Sequence, residues 1–316
     1  MLDYLLLVVG LTLLVIGGDV LVKGAVGLAE KLKVPALIIG LTIVAFGTSA
    51  PELFISIQAA LAGASGIAIG NVVGSNIANV LLVMGLPALI AASRCDDAGI
   101  GRNIVVMIGF TIVFMAILFD GVVSRAEGAV LLVLLALFLY DQMRSAKQAN
   151  NEAPVDIHDE VGETPSSMPV ILALLAIGLL ALPFGADLTV DSASSIARRW
   201  NVSDDVIGLT IVAIGTSMPE LVTTLVSTFR GQRDVAIGNL IGSSVYNLAF
   251  ILGATALVAP LEVTPELVRI DLPVMVAVSL VCIPVFLTGR TVSRREGIAF
   301  IVVYAAYLGA LLLLRT

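Results

Sequence analysis

Apolar residues run through this chain in blocks of about 20, too long and too continuous for the amphipathic core helices of a soluble domain. Short clusters of Gly, Pro and charge separate them. With those clusters as punctuation, the pattern predicts ten spans, at residues 3–27, 36–61, 67–92, 103–120, 126–144, 168–196, 205–229, 235–259, 268–288 and 295–314. Five fall on each side of the one long polar segment, Ser145–Ser167. The expected organisation is a first five-helix half (1–144), a polar cytoplasmic linker (145–167) and a second five-helix half (168–316). The start Met1-Leu-Asp-Tyr lacks a basic region and its apolar run outlasts the core of a signal peptide, so the first helix is expected to be retained.

The two halves repeat each other. Gly40–Gly85 contains GTSAPEL and GNVVGSNIAN; Gly208–Gly253 contains GTSMPEL and GNLIGSSVYN. One constant offset carries Glu52 onto Glu220, Ser75 onto Ser243, Asn79 onto Asn247 and Asp19 onto Asp187. Five is odd, so the second copy must enter the membrane from the opposite side, and the repeats are expected to be inverted. The fold class predicted is an all-α membrane protein of ten transmembrane helices, built as two inverted five-helix repeats around a central site.

Basic residues give the orientation. With the N-terminus outside, the inner loops and helix ends carry Lys23, Lys31, Lys33, Arg94, Arg102, Arg144, Lys147, Arg230, Arg233, Arg290, Arg294 and Arg295, and the outer side only Arg125, Arg198, Arg199, Arg269 and Arg315. The bias places both termini outside.

Composition agrees with a lipid environment. Hydrophobic residues make up 59% and charged residues 13%, roughly half the charge of a soluble domain. The mean hydropathy is +1.07. The net charge of −7 argues against nucleic acid as a partner, although much of it sits in the linker. Cys95 and Cys282 show no metal or redox spacing, and no disulfide is expected.

Each GTSxPE motif carries a proline inside an apolar span. Proline has no N–H and clashes with the preceding turn, so Pro51 and Pro219 should break the second and seventh helices and free backbone carbonyls. Non-helical backbone in lipid persists only where protein or a hydrophilic cavity satisfies it. Thr48, Ser49, Thr216 and Ser217 add hydroxyls there, and Glu52 and Glu220 add charge. Two such acids would be costly at membrane depth unless something neutralises them, and one divalent cation would cancel both. Carboxylate, hydroxyl, carbonyl and amide oxygens suit a hard cation: calcium, with sodium as competitor. Gly70 and Gly74, like Gly238 and Gly242, have the small-xxx-small spacing of tightly packed helices; Ser75 and Asn79, like Ser243 and Asn247, share a helix face. Asn71 and Asn239 read equally as ion ligands or as donors to the broken backbone. Asp19 and Asp187 read as solvated helix ends, with ion attraction or gating as the alternative. The linker acids Glu152, Asp156, Asp159, Glu160 and Glu163 lack EF-hand spacing and read as a solvated connection.

Paired GTSxPE and GNxxGSxxxN segments in ten spans resemble the alpha-repeats of the sodium/calcium exchanger family, especially its compact prokaryotic members. The resemblance covers nearly the whole chain. It implies calcium binding by Glu52, Glu220, Thr48 and Thr216, and sodium sites at Ala45, Ser49 and Ser75 in one half and Ala213, Ser217 and Ser243 in the other, with Asn79 and Asn247 facing the centre. Asn247 stands where some relatives carry Asp, which argues against potassium co-transport. The function implied is exchange of sodium for calcium by alternating access, with the first and sixth helices mobile, in a prokaryotic inner (plasma) membrane. It implies no cofactor beyond the transported ions, no protein partner, and a monomer sufficient for transport. A calcium/proton antiporter would use the same glutamates, and a calcium channel would use the cage as a filter. An intramembrane hydrolase lacks a base, since the only histidine is His158 in the linker, so no enzyme activity is expected.

Overall fold

The computed structural model describes residues 2–91, 93–94, 98–152, 165, 167–202, 204–265, 267–286 and 291–315. Eight helices there are long and apolar enough to cross a bilayer. These are α1 (Leu2–Leu32), α3 (Ser65–Ile90), α4 (Gly99–Asp120), α5 (Arg125–Lys147), α6 (Met168–Arg199), α8 (Arg233–Val258), α9 (Leu267–Pro284) and α10 (Arg294–Leu313). The second and seventh spans are broken as expected. Ala36–Thr48 (α2a) meets Ala50–Leu61 (α2b) at 42°, and Thr210–Thr216 (α7a) meets Met218–Phe229 (α7b) at 59°. One correction concerns the linker: helix continues past the expected end at 144 to Glu152. Asp156, His158, Asp159, Glu160 and Glu163, like Cys95, lie outside the described residues.

Two pairs of short strands show that the broken α7 is a full crossing. β1 (Ser93–Arg94), after α3, pairs antiparallel with β4 (Thr291–Val292), after α9; β2 (Val122–Val123), after α4, pairs antiparallel with β3 (Leu261–Glu262), after α8. Partners must lie on one side of the membrane. Between β2 and β3 the chain passes through α5, α6, the broken α7 and α8, and only an even number of crossings returns it to the same side. The bent α7 must therefore count as one span, and β1–β4 then lies on the opposite face. The repeats are inverted, and the pairings interchange under their two-fold relation.

The repeat-related helices α1 and α6 run antiparallel in close backbone contact. A side chain at Gly10 would strike Thr189, one at Gly17 Ala181 and one at Gly24 Leu175, while one at Gly178 would strike the Leu21 backbone. Seven-residue glycine spacing puts the smallest side chains on one face and lets the helices approach this closely. The pair anchors an apolar cluster containing Leu14, Leu21, Val26, Ile171, Leu175 and Leu182, joined by Ile39 and Val44 of α2a and distinct from the larger core of the other helices. At the centre of that larger core stand α3 and α8, whose most apolar stretches are 78% buried, against 44% or less for the outer helices. The outer helices direct Val105, Ile112, Leu137, Leu180 and Phe184 outward, an apolar coat suited to lipid chains.

Candidate functional site

The two helix breaks are built alike. Ser49 and Ser217 leave helical geometry with nearly the same angles (φ −86°, ψ 6° and φ −87°, ψ 7°). Pro51 and Pro219, each two residues later, have no N–H to give the carbonyl a turn earlier. The amide of Asn71 on α3 donates to the Glu52 carbonyl (3.0 Å) and the Ser56 hydroxyl (2.9 Å). Asn239 on α8 donates to the Glu220 carbonyl (3.3 Å) and the Thr224 hydroxyl (3.1 Å). This resolves the two asparagines: their amides brace the re-started helix. Each brace fixes the first turn of α2b or α7b, and thereby the glutamate on it.

The glutamates are 1% exposed and near enough to repel each other. The Ser49 hydroxyl donates to Glu220 Oε1 (3.0 Å), joining the two halves. Around them, Glu52 Oε1 and Oε2, Glu220 Oε2, Ser217 Oγ and both amide side chains of Asn79 and Asn247 are buried with no hydrogen-bond partner among the described residues. A buried polar group left this way costs about 1–3 kcal/mol. Asn79 and Asn247 each open a π-helical turn, Asn79–Val83 and Asn247–Ile251. Extra-wide turns of this kind cluster at functional sites. The Asn79 turn packs on α7b and the Asn247 turn on α2b, so each half supplies an amide beside the other's glutamate. Two carboxylates, two amides and a hydroxyl offer six unpartnered oxygens, the number and hardness a calcium ion takes.

The two-fold relation fails in one respect. On α8, a side chain at Gly238 would strike the Leu37 carbonyl and Gly40, and one at Gly242 would strike Ala45 and Leu41, so α2a is seated on α8. Thr48 donates to Asn239 Oδ1 (3.1 Å) and lies 3.4 Å from the Ser243 hydroxyl. On α3 the equivalent Gly70 and Gly74 have nothing within 4 Å. A cleft of about 820 Å³ lies between α3 and α7a instead, lined by Ser75, Asn71, Thr216, Val212 and Asp271. Gly66 at the start of α3 and Thr264 just after β3, both in its lining, place one end of the cleft on the β2–β3 face. Of the expected site residues, Ala45, Thr48, Ser49 and Ser243 therefore sit in the closed half. Ser75 and Thr216 line the open one, and Ala213 opens the short helix ending at Thr216.

Asp19 is not at a solvated helix end. It lies within α1, paired with Lys23 (3.1 Å) and with Arg230 at the end of α7b. Its counterpart Asp187 is exposed on α6, and Ala62 occupies the position equivalent to Arg230. Asp271 was also overlooked. It is 5% exposed and accepts from the Tyr307 hydroxyl (2.7 Å). Its signal was an acid just inside the ninth apolar run.

Fold and site together define an inverted-repeat membrane transporter with a buried, carboxylate-bearing central site beside a cleft on one face. Known proteins narrow this further. The family profile described as Sodium/calcium exchanger protein matches residues 2–144 and 170–313. The putative antiporter CaxA of Alkalimonas amylolytica is 37% identical over 95% of both chains. The sodium/calcium exchanger MaX1 of Methanosarcina acetivorans is 34% identical over 97% of both. The inner membrane protein YrbG of Escherichia coli is 37% identical over 87% of this chain and 86% of its own. A solved structure of the sodium-calcium exchanger NCX_Mj superposes with a TM-score of 0.84 at 33% identity, over 98% of this chain and 99% of that one. The chain belongs to the sodium/calcium exchanger family, whose members are cation/calcium antiporters of the membrane and not enzymes.

Proposed function

We propose that this protein exchanges sodium for calcium by alternating access. The observation that carries the reading is the set of unpartnered oxygens around Glu52 and Glu220, buried at the junction of the inverted halves beside the cleft that Ser75 and Thr216 line. Calcium takes Glu52 and Glu220 with the backbone carbonyls of Thr48 and Thr216 and the oxygens of Asn79 and Asn247. Sodium uses Ala45, Ser49 and Ser75 in the first half and Ala213, Ser217 and Ser243 in the second, competing for the same carboxylates. Two bare glutamates resist crossing the membrane, which couples the opposing fluxes. Each half of the chain, 1–144 and 168–316, contributes one wall. The pair α1 and α6, packed with α2a in one apolar cluster, slides past the core formed by α2b, α3, α7b and α8 and carries α2a and α7a between seated and unseated positions. The charge bias supports both termini outside an inner membrane, so the cleft on the β2–β3 face opens outward.

The test is calcium uptake into vesicles driven by an outward sodium gradient at clamped pH. Uptake that follows the sodium gradient is expected. Uptake that ignores sodium and follows an imposed proton gradient would assign the same glutamates to calcium/proton exchange, and single-channel currents would overturn alternating access. A monomer is expected to suffice.

A further inference from the structure

Beside the cage stand two hydroxyls that it does not use. Thr223 and Ser227 on α7b are both 0% exposed, and neither hydroxyl has a hydrogen-bond partner among the described residues. Other buried hydroxyls on these helices turn back to the carbonyl one turn earlier, as Thr228 does to Thr224 (2.8 Å), Thr111 to Met107 (3.0 Å) and Ser244 to Leu240 (3.0 Å). We propose that Thr223 and Ser227 form a relay that solvates a cation on its way between Glu220 and the β1–β4 face. The relay rests on the alternating-access reading.

Spacing ties the pair to the cage. Glu220, Thr223 and Ser227 share one face of the continuous helix Met218–Phe229, so the hydroxyls follow the carboxylate at about 4.5 and about 10.5 Å along the axis, toward the β1–β4 end. Neighbouring positions fix where that face looks. Val222 and Val226 face α1, where a side chain at Gly18 would meet both. Thr224 accepts from Asn239 of α8. Thr223 and Ser227 fall between these two sides of the helix, over the seam of α1 and α8. Packed against both of those helices, α2a covers the seam.

The open cleft shows what the seam becomes. Its lining includes Ile55, Ala64, Gly66, Gly70 and Gly74. The repeat carries the first three onto Thr223, Gln232 and Asp234, and the two glycines onto Gly238 and Gly242, where α2a is seated. Unseating α2a therefore puts Thr223 in the wall of the opposite passage, where the present cleft has the apolar Ile55. Ser227 follows one turn on, where α2b has Ala59. A cation leaving Glu220 on that side exchanges carboxylate for hydroxyl oxygens before it meets bulk water. Such oxygens suit sodium and calcium, and being neutral they release the ion readily. On the β2–β3 side the same two positions are apolar, so the relay is one-sided.

The test uses Thr223→Val, which keeps the side-chain shape and removes the hydroxyl, with calcium supplied to one face of sealed vesicles at a time. Impermeant labelling of Phe119→Cys, at an exposed position just before β2, identifies the vesicles that present the β2–β3 face outward. For calcium supplied at the β1–β4 face, kcat/KM should fall on the order of tenfold, the scale of one lost hydrogen-bonding group facing a charge. At the β2–β3 face it stays native, and Thr223→Ser restores the lost rate. The Tm of Thr223→Val should hold or rise, because an unpartnered buried hydroxyl gives way to an apolar group of the same shape. A native kcat/KM at the β1–β4 face, equal losses on both faces, failure of serine to restore the rate, or a lower Tm would each overturn the relay. If Thr223→Val does not reach the membrane, Ser227→Ala should show the same one-sided loss, and a native value there refutes the idea. The native protein's response to sodium and proton gradients, recorded in the same vesicles, reports on the exchange reading separately, because the one-sided loss is read whichever gradient drives uptake.

Discussion

Replacing Gly70 with alanine should lock the transporter with its cleft open. In this structure a Cβ at Gly70 meets nothing within 4 Å, so the open state incurs no cost. The closed counterpart is visible in the other half, where a Cβ at Gly238 would sit 2.5 Å from the Leu37 carbonyl oxygen and 3.0 Å from Gly40 Cα. The repeat maps those two residues onto Asp205 and Gly208, which must take the same seats against Gly70 when α7a closes on α3. Both obstacles are backbone, so the clash cannot be relieved by a rotamer change. The helices must part by several tenths of an ångström, and overpacking of this kind costs about 1–3 kcal/mol.

That cost falls on one state only and shifts the equilibrium by about 5–150-fold. Gly70→Ala should therefore retain calcium affinity at the β2–β3 face while its maximal exchange rate drops by a comparable factor. The assay pairs equilibrium calcium binding to purified protein with exchange in vesicles. Gly109, with nothing within 4 Å, provides a neutral alanine control. Gly238→Ala should act in reverse, unseating α2a from α8. A Gly70→Ala protein that exchanges at the native rate refutes the two-fold closing motion.

Further expectations follow from the same geometry. Arg230→Gln removes the tie between α1 and α7b on the β1–β4 face, which has no counterpart at Ala62. At about 1 kcal/mol for a partly exposed pair it should favour opening on that face roughly fivefold, read as faster labelling of an engineered thiol there by an impermeant reagent; unchanged labelling removes the latch. Asn239→Ala should lower stability more than Asn71→Ala, by about 1–3 kcal/mol, because Asn239 also accepts from Thr48 in the closed half; equal melting shifts would contradict this. Glu52→Gln and Glu220→Gln keep the shape of the cage and remove one charge. Each should weaken calcium binding by about 3–5 kcal/mol, two to three and a half powers of ten, and native affinity in either removes that carboxylate from the cage.

Much of this architecture was legible because lipid limits the alternatives. A span must be apolar for about 20 residues, so block lengths located the helices within a few positions. Proline in a duplicated motif located both breaks, and the repeat located the residues that meet at the centre. The brace made by Asn71 and Asn239 was ambiguous in the sequence, because an amide serves equally as ligand and as donor. Asp19 resembled a solvated end because its partner Arg230 lies far along the chain. Asp271 was hidden by the repeat itself, because its equivalent is the neutral Asn103.

The asymmetry of the conformation is a different kind of omission. The duplicated motifs are nearly equal, so by sequence α2a and α7a have similar claims to a seat, one on α8 and the other on α3. Both cannot be seated with the central site still accessible, and both cannot be open without joining the two sides of the membrane. A single conformer must break the symmetry. One unmatched feature biases the direction: Arg230, against Ala62 in the other half, ties α7b to α1 on the β1–β4 face. The repeat thus supplies two access states of comparable energy, and the departures from it bias which is favoured. For such a protein the informative positions are of two kinds: the matched glutamates that bind, and the mismatched residues that bias the motion.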